Sequence, residues 1–455
     1  MQPFRILFIG DFSNRGDRLD RARDLEFRKP FRIDRDSIGP VMSHLNIALT
    51  LTDIPNHGDI SLEFQDIDDF HPDWILKHLP KGTEQPHELT KDSSSPARIS
   101  RRTQAPSVSE LTSGSLLDAA VSETEQTQGT PRSSDPLRQF VNQLVSPYEV
   151  KKGNLDAQRN ESVENRSAEA LREILHRSEF QKLEAAWRAL SLVASRLETD
   201  EALQLFVLDL TRTELIADIG STDDLRSTEL FRIIAGEADR WALIAADFAF
   251  GGEVEDLELL RRIGLLCGSA GAPVLAEAKQ TMLGCDSVAA TPNPREWKND
   301  VSHSTAWKQL RGSAVAQWIG LAAPRFLVRM PYGERGTTVD SFPFEEMPSD
   351  HREYLWASPV YLCAMLIGQA FAADEWDLRP GLFQNVSSLP LYIKYSEEGA
   401  EAMPVAEALL TEFAGDRILD LGIMPLMSFK DQDTVRLMRF QSLADPLAPL
   451  AGKWQ

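Results

Sequence analysis

The strongest constraint on this chain is a stretch that cannot build a core. From Lys81 to Asn165, serine, threonine, glutamine, proline and charged residues dominate, as in KDSSSPARISRRTQAPSVSE. Such composition buries too little apolar surface to offset the entropy of ordering the backbone. Residues 81–165 are therefore expected to form a polar linker. That leaves two foldable zones, 1–80 and 166–441, and a tail rich in proline and alanine at 442–455. Two amphipathic islands interrupt the linker and predict short helices near 111–126 and 136–150.

The first zone opens with FRILFI, Phe4 to Ile9, whose apolar content predicts a buried strand that Gly10 and Asp11 stop. Phe31 and Ile33 predict a short strand, followed by a helix capped by Asp36 or Ser37. Alternation at Ile47, Leu49 and Leu51, and again at Ile60, Leu62 and Phe64, predicts a half-buried hairpin. A helix is expected to start near Asp68–Pro72. In the second foldable zone, Leu171, Ile174, Leu175, Phe180, Leu183, Trp187, Leu190 and Leu192 predict one long helix over 168–197. Apolar runs at 203–210, 241–247 and 272–276 predict strands, with helices after Thr213 and over 255–269. Strands and helices in this order imply right-handed βαβ crossovers and a sheet covered on both faces. The fold class is α/β, a mixed sheet with flanking helices, with a small N-terminal α/β segment joined through the linker.

The chain has 455 residues, with 48 basic against 69 acidic side chains and a net charge of −21. That balance argues against nucleic acid as a partner, because a polyanion would be repelled. No run approaches the roughly 20 apolar residues of a membrane span, and the N-terminus lacks the pattern of a secretory leader. Cys267, Cys285 and Cys363 are too few and too scattered for a disulfide framework or a zinc site. A cytoplasmic protein without membrane insertion is expected.

The search for catalytic chemistry returns no complete motif. Gly10 to Gly16 follows a strand as a phosphate loop would, but lacks the Walker or dinucleotide pattern and is read as a strand-exit turn. Asp66, Asp68, Asp69, His71 and Asp73 crowd together without a metal-ligand spacing, and are read as acids opposing a helix dipole. Ser269 lacks the first glycine of a nucleophile elbow. Arg325 and Arg329 are assigned to ion pairs or a solvated edge rather than a substrate clamp. Catalytic, cofactor and metal residues are all expected to be absent, and the chain is not expected to be an enzyme. Trp356, Trp376 and Trp454 are noted as core aromatics that could also anchor an assembly.

Five stretches in order, ILHRSEFQKLEAAWRALSLVASR, APVLAEA, LAAPRFLVRMPYG, SFPFEE and EYLWASPVY, closely resemble the large contractile-sheath subunit of type VI secretion systems (TssC, or VipB). ILFIGDF at 6–12 and FRIDRDSIGPVM at 31–42 resemble the small sheath subunit (TssB, or VipA). The chain therefore looks like a fusion of the two. The matching positions are Phe180, Leu183, Trp187, Pro324, Arg325, Phe326, Pro331, Tyr332, Tyr354 and Trp356.

The resemblance implies a structural role. In that family the two subunits pair, polymerise helically around a tube of Hcp rings and contract to drive it outward, and the ClpV ATPase disassembles the contracted sheath through an N-terminal helix of the large subunit. Leu116, Leu117, Asp118 and Val121 occupy the place of that helix. The family's large subunit normally continues beyond this chain's C-terminal region, and its small subunit normally begins with a strand-forming extension, so exchanged strands are expected to be missing. The implied partners are sheath subunits or further copies of the chain, with the Hcp tube, the baseplate and ClpV. The expected role is to cap, initiate or regulate sheath assembly. The alternatives are a genuine sheath protomer of a variant system and, in another class, an α/β enzyme or nucleotide-binding regulator on a borrowed fold.

Overall fold

The computed structural model describes residues 2–15, 25–80, 152–220, 222–236, 240–396 and 399–454. The islands at 111–126 and 136–150, with Leu116, Leu117, Asp118 and Val121, lie outside the described residues. The chain divides into two units, Met1–Lys81 with Glu164–Gln455, and Gly82–Val163. Only the start of one helix, Lys152–His176, is described in the second unit.

The first unit is built on a nine-stranded sheet. Its parallel core comprises β1 (Phe4–Gly10), β5 (Leu203–Asp209), β6 (Leu243–Phe250), β7 (Val274–Ala278), β8 (Ile319–Ala323) and β14 (Ile423–Ser428). Short antiparallel strands flank it: β2 (Phe31–Ile33) on one edge, and β15 (Val435–Leu437) followed by β11 (Asn385–Val386) on the other. Three two-stranded sheets stand apart, β3 (Ile47–Ile54) with β4 (Gly58–Phe64), β9 (Phe326–Leu327) with β10 (Trp356–Ala357), and β12 (Ile393–Ser396) with β13 (Gly399–Ala402).

The placement of β1 departs from the crossover expectation. β5 and β6 are consecutive in the second foldable zone, yet they do not pair. β1, from the first zone, lies between them, parallel to β5 from Phe4↔Leu203 to Gly10↔Asp209 and to β6 from Ile6↔Leu243 to Ile9↔Ala246. The physical reason is visible in β1 itself: Ile6 and Phe8 enter one apolar core while Leu7 and Ile9 enter the other. A strand that is apolar on both faces requires helices above and below it and is most stable with neighbours on both edges.

One face of the sheet is covered by α4 (Ser178–Arg196) and α9 (Val360–Asp374), together with the β3–β4 hairpin, α1 (Ile38–Leu45) and α2 (Pro72–His78). The other is covered by α5 (Arg212–Ile219), α6 (Glu229–Ala235), α7 (Val254–Ala270), α8 (Thr305–Arg311) and α10 (Glu412–Asp420). Eleven residues of α9 are buried, on every side of the helix, as befits an element enclosed within the core.

The single helix expected over 168–197 is two helices, α3 (Lys152–His176) and α4, separated at Arg177, whose backbone is extended (φ −63°, ψ 131°). From Leu175 to Phe180 is five residues, about 500° of helical rotation, so on one continuous helix the two apolar stripes would lie about 140° apart. The break lets Leu171, Ile174 and Leu175 share a core with Phe180, Leu183 and Trp187. At α1, Ser37 occupies the N-cap position without a capping bond from its side chain. Its hydroxyl accepts instead from the Asp34 amide (2.8 Å), while Asp34 Oδ1 accepts from the amides of Asp36 and Ser37.

Residues 442–454 lie against the sheet. The Leu443 amide donates to the Ile319 carbonyl (2.9 Å) and the Ala451 amide to that of Gln317 (2.8 Å). Trp454 stacks on Phe4, with ring centroids 6.1 Å apart, and Trp376 tilts over the same ring at 5.3 Å. Trp356, Trp376 and Trp454 are thus engaged within the protein's own packing.

Candidate functional site: the seam between the N-terminal segment and the large core

The sequence motifs converge on a seam where residues of the first zone meet α4 and the loop that follows β9. Phe180 in the first turn of α4 receives Phe64 and Phe70 edge-on, with centroids at 6.0 and 5.7 Å. Two turns on, Trp187 meets the edge of Phe12 at 5.8 Å, and its indole Nε1 donates to the Phe12 carbonyl at 2.8 Å. Leu183 is buried on the same face.

Beside this aromatic contact lies a buried charge cluster. Glu184 sits on the buried face of α4 and accepts from Arg188 Nε (2.7 Å) and Arg329 Nε (2.9 Å). Arg329 also donates through Nη1 to Glu346 Oε2 (2.7 Å), which accepts from the Tyr332 amide as well (2.7 Å). The Arg329 guanidinium lies 4.2 Å from the centroid of the Tyr332 ring, whose hydroxyl accepts from Arg188 Nη2 at 3.1 Å. Two arginines thus face two glutamates, and the cluster is locally neutral, which is the condition for holding charges out of water. Burial alone would raise the Glu346 carboxyl, but the Arg329 charge, His176 and the Tyr332 amide hold it down to about 2. Burial likewise opposes the charge on Arg329, and Glu184 and Glu346 overcome it, so its pKa rises well above the ordinary arginine value. Burial, reinforced by Glu184, pushes the Tyr332 hydroxyl up to about 12.

The acidic group of the first zone joins this seam. Asp66 and Asp69 form a capping box on a short 3-10 turn over Ile67–Phe70. His71 packs edge-on against Tyr332 at 5.1 Å. Asp73 accepts from the amides of Asp340 and Ser341, both at 2.9 Å. Asp66 and Asp69 therefore serve turn capping, and Asp73 a long-range tether. Among the described residues no group of three or more His, Cys, Asp or Glu side chains is placed to hold a metal ion.

Arg325, Pro324 and Phe326 lie one step along the chain. Arg325 pairs with Glu407 through Nη2 and Nε, and Gln280 Nε2 adds a bond to the same carboxylate at 2.7 Å. Phe326 pairs with Ala357 in the β9–β10 ladder, and Tyr354 and Trp356 cluster with Leu327. Pro331 and Tyr332 are buried. The structure brings Phe180, Leu183, Trp187, Pro331 and Tyr332 to the seam, and sets Pro324, Arg325, Phe326, Tyr354 and Trp356 beside it. Both arginines are in ion pairs, and Arg329 is far from a solvated edge at 5% exposure. Sequence reasoning missed Glu184 and Glu346. The available signal was a carboxylate in the middle of the apolar face of α4 and a second within SFPFEE.

Gly16 lies outside the described residues; in the described part of the strand-exit turn the backbone donors of Phe12 and Ser13 are turned into the protein. Asp209 Oδ1 accepts from the amides of Phe12 (2.9 Å) and Ser13 (3.2 Å), and its Oδ2 accepts from the Ser13 hydroxyl (2.7 Å). These two backbone donors are thus engaged by a side chain of β5. Ser269 is exposed, and its hydroxyl donates back to the Leu265 carbonyl (2.9 Å). Cys267 and Cys363 are buried free thiols whose pKa burial raises. No helix among the described residues is long and apolar enough to cross a membrane.

Comparison with known proteins finds two family matches along the chain. Residues 2–84 match the VipA family, described as "Type VI secretion system, VipA, VC_A0107 or Hcp2". Residues 158–444 match the VipB family, described as "EvpB/VC_A0108, tail sheath N-terminal domain". Over 291 residues the chain is 29% identical to the type VI secretion system sheath protein TssC1 of Pseudomonas aeruginosa; the alignment covers 60% of this chain and 58% of that protein. The VipB match spans well over half of the sequence, and a VipA-like segment precedes it in the same polypeptide: the chain belongs to the type VI secretion tail-sheath family, as a fusion of the small and large sheath-subunit types.

Proposed function

We propose that the protein is a structural, non-catalytic component of a type VI contractile sheath apparatus, acting in the cytoplasm. It would serve as a single-chain counterpart of the small–large subunit pair. The observation that carries this reading is β1. A strand of the VipA-like segment lies inside the sheet of the VipB-like part, so the two would form one building block rather than two tethered domains. Joining them in one chain raises the effective concentration of each for the other.

Within that role we favour docking on sheath subunits to cap, initiate or regulate their assembly. The described edges of the large sheet support this, because β2 and β11 are only three and two residues long. Edges so short present little backbone for a further strand. The partners would be sheath subunits and, through them, the Hcp tube and the baseplate. ClpV would engage the segment containing Leu116, Leu117, Asp118 and Val121. Electron microscopy tests the reading: mixed with separately encoded sheath subunits, the labelled protein is expected at sheath ends in substoichiometric amount. Regular tubes formed by the protein alone would favour a genuine sheath protomer instead. Deleting 111–126 should abolish ClpV binding, and unchanged binding would remove that partner.

A further inference from the structure

The β3–β4 hairpin offers backbone that the large sheet does not. One edge of β4 pairs with β3, and the other pairs with no strand among the described residues. That edge is seven residues long, against three for β2 and two for β11, and an open edge of this length is a template for a further strand. It borders a groove of about 610 Å³ between β4 and α2. The groove is lined from both faces of β4, by the exposed Glu63 and the buried Leu62, and by no residue of β3, so it runs along the free edge. Its opposite wall is aromatic: Trp74 and His78, one turn apart on α2, stack with centroids at 3.8 Å, and Phe64 backs Trp74 at 5.6 Å. Glu63, Asp66 and Asp69 give the groove its charge. The two aspartates bond to backbone amides of their own turn. Among the described residues none of the three acids is in an ion pair, whereas Glu184 and Glu346 at the seam are each paired with arginine.

We propose that this groove docks an extended segment of a partner protein that carries arginine or lysine at alternate positions, added as a third strand on the free edge of β4. The strand edge supplies the main-chain partners, and the acids select the charge of what is added. Acidic side chains along an open edge repel acidic strands and favour a basic one. In a chain of net charge −21 the same repulsion opposes edge-to-edge pairing between copies. The alternation follows from the pleat: on a strand laid beside β4, every second side chain falls on the face that bears Glu63, where opposite charges on neighbouring strands attract. The Trp74–His78 wall adds planar surface on which a guanidinium stacks. The proposal goes beyond the sheath reading and does not depend on it, because it names a peptide chemistry and is tested on the purified chain.

The probe is a short fluorescent peptide that alternates arginine and valine, titrated with the full chain and followed by anisotropy. Saturable binding of one peptide per chain is expected. Glu63→Lys reverses the charge at an exposed strand position, so the fold should be kept and the affinity should fall about tenfold or more. A peptide with glutamate in place of arginine should not bind. The same basic peptide methylated on alternate backbone nitrogens loses the donors that strand addition uses, and should also bind about tenfold more weakly or worse. No saturable binding, equal binding by Glu63→Lys, or equal binding of the methylated peptide overturns the proposal. The chain has a basic stretch of its own outside the described residues, 91–102, with Lys91, Arg98, Arg101 and Arg102. Deleting it should leave the affinity unchanged; a gain of about tenfold would assign the groove to that stretch and overturn the partner.

Discussion

Trp187 donates its indole N–H to the carbonyl of Phe12 at 2.8 Å, across a gap of 175 residues in sequence. This one bond joins α4 of the VipB-like part to the exit of β1 in the VipA-like part, and both partners are buried.

Replacing Trp187 with phenylalanine keeps an aromatic ring but removes the donor. The Phe12 carbonyl would then be buried without its partner, so the variant should lose about 1–3 kcal/mol of stability. Urea unfolding followed by circular dichroism measures this. A loss within a few tenths of a kcal/mol would show that the bond is not maintained in solution.

Arg329→Met leaves Glu184 and Glu346 without their shared guanidinium, with Arg188 beside the first and His176 beside the second. Removing one partner of a buried ionic group costs about 3–5 kcal/mol, and adding Glu346→Gln should restore part of the loss. The pH dependence has a definite sign. The folded-state pKa of Glu346 is depressed to about 2, so its pairing contributes fully above about pH 4 and is lost as pH falls through the folded-state value. The stability gap between wild type and Arg329→Met should therefore narrow on acidification. Unfolding curves taken at several acidic pH values check this, and a gap that widens would contradict the assignment.

Much of the fold was legible because its signals are local. The alternation of Ile47, Leu49 and Leu51 with Ile60, Leu62 and Phe64 is the antiparallel β3–β4 pair, with Leu49 opposite Leu62. The break at Arg177 was less visible, since both halves are good helix and only the phase between Leu175 and Phe180 betrays it. The insertion of β1 is non-local: FRILFI announces a strand buried on both faces, but no local pattern names β5 and β6 as its neighbours. The charge cluster was hidden for the same reason. Arg329 was visible as a cation near a strand, while its partners stand 145 and 17 residues away in sequence.

Gly368 of α9 marks a close helix approach. A Cβ built there would meet Leu197 Cδ1 at 2.7 Å and Cδ2 at 3.2 Å. Gly368→Val should overpack this contact and destabilise the protein by about 1–3 kcal/mol. Leu197→Ala in the same chain should recover part of that loss, since it vacates the contested space. Thermal unfolding of the single and double variants tests the coupling, and strictly additive losses would place the strain elsewhere.

The central claim is that the VipA-like segment is an integral strand of the VipB-like sheet, with β1 held between β5 and β6. A single protease site placed within 81–151 and cleaved after folding tests it most directly. The account predicts that the two fragments continue to co-elute as one 1:1 species with an unchanged circular dichroism spectrum, and separate only on unfolding. Spontaneous separation into an N-terminal fragment and a C-terminal fragment that keeps its fold would contradict it.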